Sequence, residues 1–184
     1  KGQEKSARLI CLEMGKPITE ARAEIEKCAW MAEIYAEHGE DWLRDEPVSA
    51  DGLEHRVIYQ PLGVVLSIMP WNFPFWQALR FAVPTLLAGN TTMLKHASNV
   101  PQCALAIEAC FMAAGFPEDT FRTIFADHDA VSALIAEELV RGVSLTGSTA
   151  VGMRVAEQAG RHLKKVVLEL GGSDPFIVLE DADI

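Results

Sequence analysis

Two patterns of apolar residues divide this chain. Up to residue 43 apolar positions recur at three- and four-residue steps, which predicts helices over 3–14 and 18–43 broken at Gly15-Lys16-Pro17. In the second, Ile25, Cys28, Ala29, Ala32, Ile34, Tyr35 and Ala36 form the face expected to pack, with glutamates and lysines covering the other. Residues 45–52 read as a polar link, and 55–60 alternates as a strand does. From residue 62 onward short apolar runs alternate with helical stretches. Strands are predicted over 63–69, 91–95, 121–125, 142–145, 165–170 and 175–179, and helices over 75–87, 101–114, 129–138 and 149–159. Such alternation, joined by short Gly, Pro and Asp turns, predicts an α/β fold: a parallel sheet with helices on both faces. The expected organisation is N-terminal helices over 1–44, a link and strand over 45–61, and a sheet core over 62–184.

Composition narrows the partners. The 184 residues are 49% hydrophobic and 23% charged, which suits a globular protein with one good-sized core. With 26 acidic against 16 basic residues the net charge is -10, which opposes nucleic-acid phosphates and anionic membranes. The longest apolar stretch, 61–89, is interrupted by Pro70, Asn72, Pro74, Gln77, Arg80 and Pro84, so no membrane span is expected there. Cys11, Cys28, Cys103 and Cys110 form no C-x-x-C pair and no ligand cluster with the histidines; no metal is expected, and free thiols fit a reducing cytoplasm. The chain opens without methionine and stops just after an apolar run, and is expected to be an internal piece of a longer protein.

The candidate chemistry gathers at strand ends. The run 62–68 leads into Met69-Pro70-Trp71-Asn72-Phe73-Pro74. An amide set between two aromatic residues is costly to bury without a partner, and one reason for it is an oxyanion hole. Lys95, Ser148 and Glu169 likewise sit at or just after predicted strand ends, where ligands bind in such sheets. The fingerprint G-x-G-x-x-G is absent. In its place stands Thr146-Gly147-Ser148-Thr149-Ala150-Val151-Gly152, a glycine turn into a helix start, whose N–H groups and Ser148 hydroxyl suit a phosphate. Plain capping by Ser148 explains the same pattern. Lys95, at a strand's end, reads on its own as a solvated lysine. Glu169 lies in an apolar run that reads as a central strand, a setting for a general base; a solvent-facing glutamate on an edge strand is the alternative. Cys103 and Cys110 stand among Ala, Leu and Ile and read as inert core rather than as nucleophiles.

These segments together resemble the aldehyde dehydrogenase superfamily, most of all its succinate-semialdehyde branch. The resemblance is carried by the Asn72 segment, Thr91-Thr92-Met93-Leu94-Lys95-His96-Ala97-Ser98, Leu145-Thr146-Gly147-Ser148, Val167-Leu168-Glu169-Leu170-Gly171-Gly172, and Asp174-Pro175-Phe176-Ile177-Val178-Leu179 in that order. It implies a Rossmann-like fold binding NADP or NAD through Met69, Pro70, Trp71, Lys95, Ser98, Thr146, Gly147, Ser148, Val151, Leu170 and Gly171. Asn72 is the implied oxyanion donor and Glu169 the base, while Trp71 and Phe73 wall the aldehyde channel unless they are core packing. Arg80, two turns along the helix after Asn72, is the implied ligand of a substrate carboxylate, with a solvated helix-face arginine as the alternative. Ser98 stands where many NAD-preferring members carry glutamate, which removes repulsion against a 2′-phosphate and implies that NADP is accepted.

The implied reaction begins with a cysteine thiolate, and no cysteine follows Glu169. The nucleophile is therefore expected beyond residue 184, and the chain alone is expected to be inactive. The strand over 55–60 resembles the family's bridging strands, which implies a homodimer or homotetramer. Two other readings stay open: a dehydrogenase for another aliphatic or aromatic aldehyde, and a non-catalytic nucleotide-binding module.

Overall fold

The computed structural model describes residues 2–183, beginning with two packed helices, α1 (Gln3–Met14) and α2 (Ile18–Trp42). Gly15 ends α1 at φ 81°, a left-handed conformation that costs glycine nothing, and its N–H closes on the Cys11 carbonyl. The buried stripe of α2 is Ala21, Glu24, Cys28, Met31 and Gly39. Here the structure corrects the sequence pattern: Glu24 is buried, whereas Ala29, Ala32 and Ala36 stay exposed. Periodicity sorts residues by polarity and cannot see that Glu24 finds buried partners, described below.

A short antiparallel ribbon follows, β1 (Glu46–Pro47) against β2 (Arg56–Val57). The strand expected over 55–60 is thus two residues long, and its partner lies in the segment expected to be a link.

The remainder alternates strictly. β3 (Val64–Met69), α3 (Pro74–Leu87), β4 (Thr91–His96), α4 (Pro101–Ala113), β5 (Phe121–Ile124), α5 (His128–Ala136), β6 (Val140–Thr146), α6 (Thr149–Arg161) and β7 (Lys165–Glu169) build one parallel sheet of order β5-β4-β3-β6-β7. Strand residues alternate between two cores. Met69, Leu94 and Phe121 join α1 to α4 on one face, while Leu66, Val143 and Leu145 meet α5 and α6 on the other. Leu66 and Leu94 are fully buried; truncating either to Ala costs roughly 2–5 kcal/mol.

Two further corrections concern the end of the chain. Residues 175–179 form no strand, and Phe176 and Ile177 are 91% and 78% exposed. An apolar run becomes a strand only where a neighbour pairs with it, and none of the described residues does. For its part, β7 is an edge strand rather than a central one. Among the described residues no helix is long and apolar enough to cross a membrane, and no group of three or more His, Cys, Asp or Glu is placed to hold a metal ion.

Candidate active site

The chain enters the sheet at its centre, moves outward through β4 to β5, and then returns to the other side of β3 as β6. The two strands on either side of that reversal, β3 and β6, end side by side, with Ile68 in register with Leu145. A crevice opens where neighbouring strands send their chains to opposite faces, and this is where such sheets bind ligands. The crevice here is a cleft of about 450 Å³ lined by Pro70, Trp71, Asn72, Gln77, Arg80, Thr146, Gly147, Ser148, Glu169, Leu170 and Gly171. Residues distant in sequence meet there because the segments that follow β3, β6 and β7 leave the same edge of the sheet.

Each side chain is placed by its element. Asn72 lies in the turn between β3 and α3 and is exposed, as are Trp71 and Phe73, at 50% and 45%. The expectation of a buried amide between two aromatic rings does not hold; the amide opens onto the cleft. Phe73 is drawn away from it, its ring lying 3.5 Å from the Lys16 ammonium, and Met69 is buried as the last residue of β3.

Arg80 points into the cleft. Its Nη2 donates to Gln77 Oε1 at 3.1 Å and to Thr146 Oγ1 at 3.5 Å, and its Nη1 lies 3.8 Å from Glu169 Oε2. The Arg80 side chain is 37% exposed. Glu169 is the last residue of β7, and its side chain is 57% exposed. The apolar surroundings read for it are missing on the outer side, because an edge strand has one neighbour. Its carbonyl accepts the Gly147 N–H at 3.0 Å, tying the ends of β6 and β7 together.

Ser148 caps α6, its Oγ accepting the Val151 N–H at 3.4 Å. Among the described residues no group accepts from the Thr149 and Ala150 N–H groups, so two donors at a thirteen-residue helix terminus stay open to an anion. Val151 is exposed on the same turn. Gly152 packs against the Leu170 side chain just beyond β7: a Cβ there would lie 2.5 Å from Leu170 Cδ2. Lys95 and Ser98 sit at and just beyond the end of β4, outside the cleft lining, with Ser98 exposed.

The thiols divide by burial. Burial, then the nearby Glu24 charge, pushes the Cys28 thiol up to about 12, and burial also pushes the Cys103 thiol up. Cys110, expected in the core, is exposed instead, in a groove between α2, α3 and α4 that shares no residue with the cleft.

Three residues around the site gave no chemical signal in the sequence. Glu13 accepts the Gln102 and Cys103 N–H groups at the start of α4, and Glu24 those of Phe75 and Trp76 at the start of α3. His96, buried, joins the two loops: its Nδ1 accepts the Ala97 N–H at 2.9 Å, so its Nε2 is the protonated nitrogen and donates to the Pro74 carbonyl at 2.9 Å. A visible clue existed in Val100-Pro101 and Phe73-Pro74, where a helix starts at proline after a residue unable to cap it.

Comparison with known proteins accords with this geometry. The chain is 54% identical over 178 residues to a probable succinate-semialdehyde dehydrogenase, NADP(+) type, of Synechocystis sp., covering 97% of this chain and 39% of that protein. It is 50% identical over 181 residues to the Escherichia coli K12 succinate semialdehyde dehydrogenase Sad, NAD(P)+ type, covering 98% and 39%. The crystal structure of succinic semialdehyde dehydrogenase from Streptococcus pyogenes with NADP+ superposes with a TM-score of 0.93 at 41% identity, over 98% of this chain and 40% of that one. The chain thus spans about two fifths of the length of these relatives. The profile of the aldehyde dehydrogenase family matches residues 1–184, and the chain belongs to that family.

Proposed function

We propose that the protein containing this chain oxidises an aldehyde to its carboxylic acid with NADP or NAD, and that the aldehyde is succinate semialdehyde. The observation that carries this reading is the convergence in one cleft of an exposed amide, a carboxylate and an inward-pointing guanidinium beside an anion-ready helix terminus.

The donor set fits a dinucleotide. The open N–H groups of Thr149 and Ala150 suit a pyrophosphate, and Gly171 has open space where a side chain would stand. Lys95 and Ser98, at the end of β4, would face the adenosine ribose; the absence of a carboxylate at 98 supports acceptance of a 2′-phosphate. When bound, the nicotinamide takes hydride from the substrate carbon.

The chain's own residues would divide the remaining work. The Asn72 amide would donate to the oxyanion formed when a cysteine thiolate attacks the aldehyde. Glu169 would remove a proton from the water that hydrolyses the resulting thioester. Arg80 would hold the distal carboxylate, its planar fork turning from Thr146 and Glu169 to the substrate. None of the four cysteines suits the nucleophile's place: none lines the cleft, and Cys28 and Cys103 are buried. That thiolate is assigned to the part of the full-length protein outside these residues. The ribbon of β1 and β2, with Ile58 and Tyr59 about half exposed, would pair with further copies in a dimer or tetramer.

Replacing Asn72 with Ala in the full-length protein tests the oxyanion role. The expected loss is about a hundredfold in kcat with little change in aldehyde KM. Near-normal kcat in a folded variant, with chemistry rate-limiting, would remove Asn72 from the reaction.

A further inference from the structure

The first turn of an α-helix presents N–H groups without intrahelical partners, and α3 can be accounted for group by group. Pro74 has no N–H, the Gln77 N–H reaches the Phe73 carbonyl at 2.9 Å, and Phe73 has no side chain able to cap. The Phe75 and Trp76 N–H groups both donate to one oxygen of Glu24, at 2.9 and 3.0 Å, across 51 and 52 residues of sequence. The other Glu24 oxygen accepts from Lys16 Nζ at 2.6 Å, with the two side chains 1% and 5% exposed. The same ammonium lies against the Phe73 ring. One buried ion pair thus grips the chain on the residue after Asn72 and at the first turn of the helix that follows. By contrast, α5 and α6 cap themselves with Asp127 and Ser148.

A buried ion pair is poor value as a source of stability, since an apolar pair of similar volume often serves as well or better. What this pair supplies is a fixed starting point for α3. Asn72 is exposed, so its aim is set through the backbone on its two sides, and displacing a reacting group by about 1 Å costs about a hundredfold in rate.

We propose that Glu24, held by Lys16, is a positioning residue that fixes where the Asn72 amide meets the developing oxyanion. This rests on the oxyanion role proposed for Asn72. Glu24 itself is remote from the reacting atoms and acts through the start of α3.

The test is a double-mutant cycle in the full-length protein, reading the single-turnover rate of NADPH appearance at saturating succinate semialdehyde. K16M/E24L removes the pair and the acceptor together, whereas K16M/E24Q removes the charges and leaves an amide oxygen for the two N–H groups. K16M/E24L should slow the burst at least about tenfold, and K16M/E24Q should stay within about threefold of the parent, with the NADP Kd within about twofold in both. In an N72A background K16M/E24L should have no further effect, because no amide remains to be aimed. If the Leu variant does not fold, E24D, which withdraws the carboxylate by one methylene while keeping its charge, carries the same cycle. Equal slowing in the Asn72 and N72A backgrounds, or equal slowing by the Leu and Gln variants, overturns the positioning role and leaves Glu24 as ordinary structure. A burst that N72A alone leaves intact overturns the oxyanion reading instead, and the positioning inference with it.

Discussion

Arg80 sits between two possible partners, the Glu169 carboxylate 3.8 Å away and a substrate carboxylate that would enter the same cleft. Both ends of the present contact are partly exposed, so the Glu169 pair contributes little and is readily exchanged. Arg80→Ala should therefore raise KM for succinate semialdehyde much more than for an uncharged aldehyde of equal length, by roughly tenfold or more given that charge-assisted bonds contribute about 1.5–3 kcal/mol. Equal losses for both aldehydes would make Arg80 a brace and point to another substrate. His96 carries a pH prediction. Burial lowers its pKa, outweighing the Pro74 and Met69 carbonyls and Glu13, which raise it; Lys95 adds slightly to the lowering. The unfolded chain takes up the proton first. The contribution of His96 is thus complete above the ordinary histidine value of about 6.5 and is lost as pH falls from there toward the lowered folded value. Thermal unfolding of the full-length protein and of His96→Asn should differ most above the ordinary histidine value of about 6.5 and converge as the pH falls below it; a constant difference would show that His96 is not held neutral.

The helices and strands were largely legible, because each packs one face against the sheet and so leaves an apolar period in the sequence. Both N-terminal helices and the five strands of the sheet appear within a few residues of their predicted bounds. What the period could not show is an element's neighbours. The run 175–179 has strand composition and no strand partner, and Val166-Val167-Leu168 reads as central although β7 is an edge. Glu13 and Glu24 were hidden for a related reason: their partners are backbone N–H groups 51 to 90 residues away, which no local pattern records. The candidate site was more legible than its supports, since Asn72, Thr146, Ser148 and Glu169 are polar residues at strand ends. Ser98 makes a prediction at this scale, because its place just beyond β4 is set by the strand rather than by its own contacts. Ser98→Glu should shift the kcat/KM ratio from NADP toward NAD, a carboxylate accepting a bond from a 2′-hydroxyl but repelling a 2′-phosphate. An unchanged ratio would place residue 98 away from the ribose.

At the scale of the molecule, the reversal of strand order between β3 and β6 makes the cleft, and the sheet's carboxyl edge fills it with an amide, a carboxylate and open helix N–H groups. The chain spans about two fifths of the length of its relatives, so the proposed reaction belongs to the full-length protein. In the reaction proposed for this cleft, Asn72 serves the hydride-transfer half of an aldehyde oxidation and Glu169 the hydrolysis. Pre-steady-state NADPH formation by Glu169→Gln in the full-length protein separates them most directly. The expected trace is a burst at close to the parent rate followed by slow turnover, because the base acts on the deacylating water. A burst slowed as much as the steady state would contradict it.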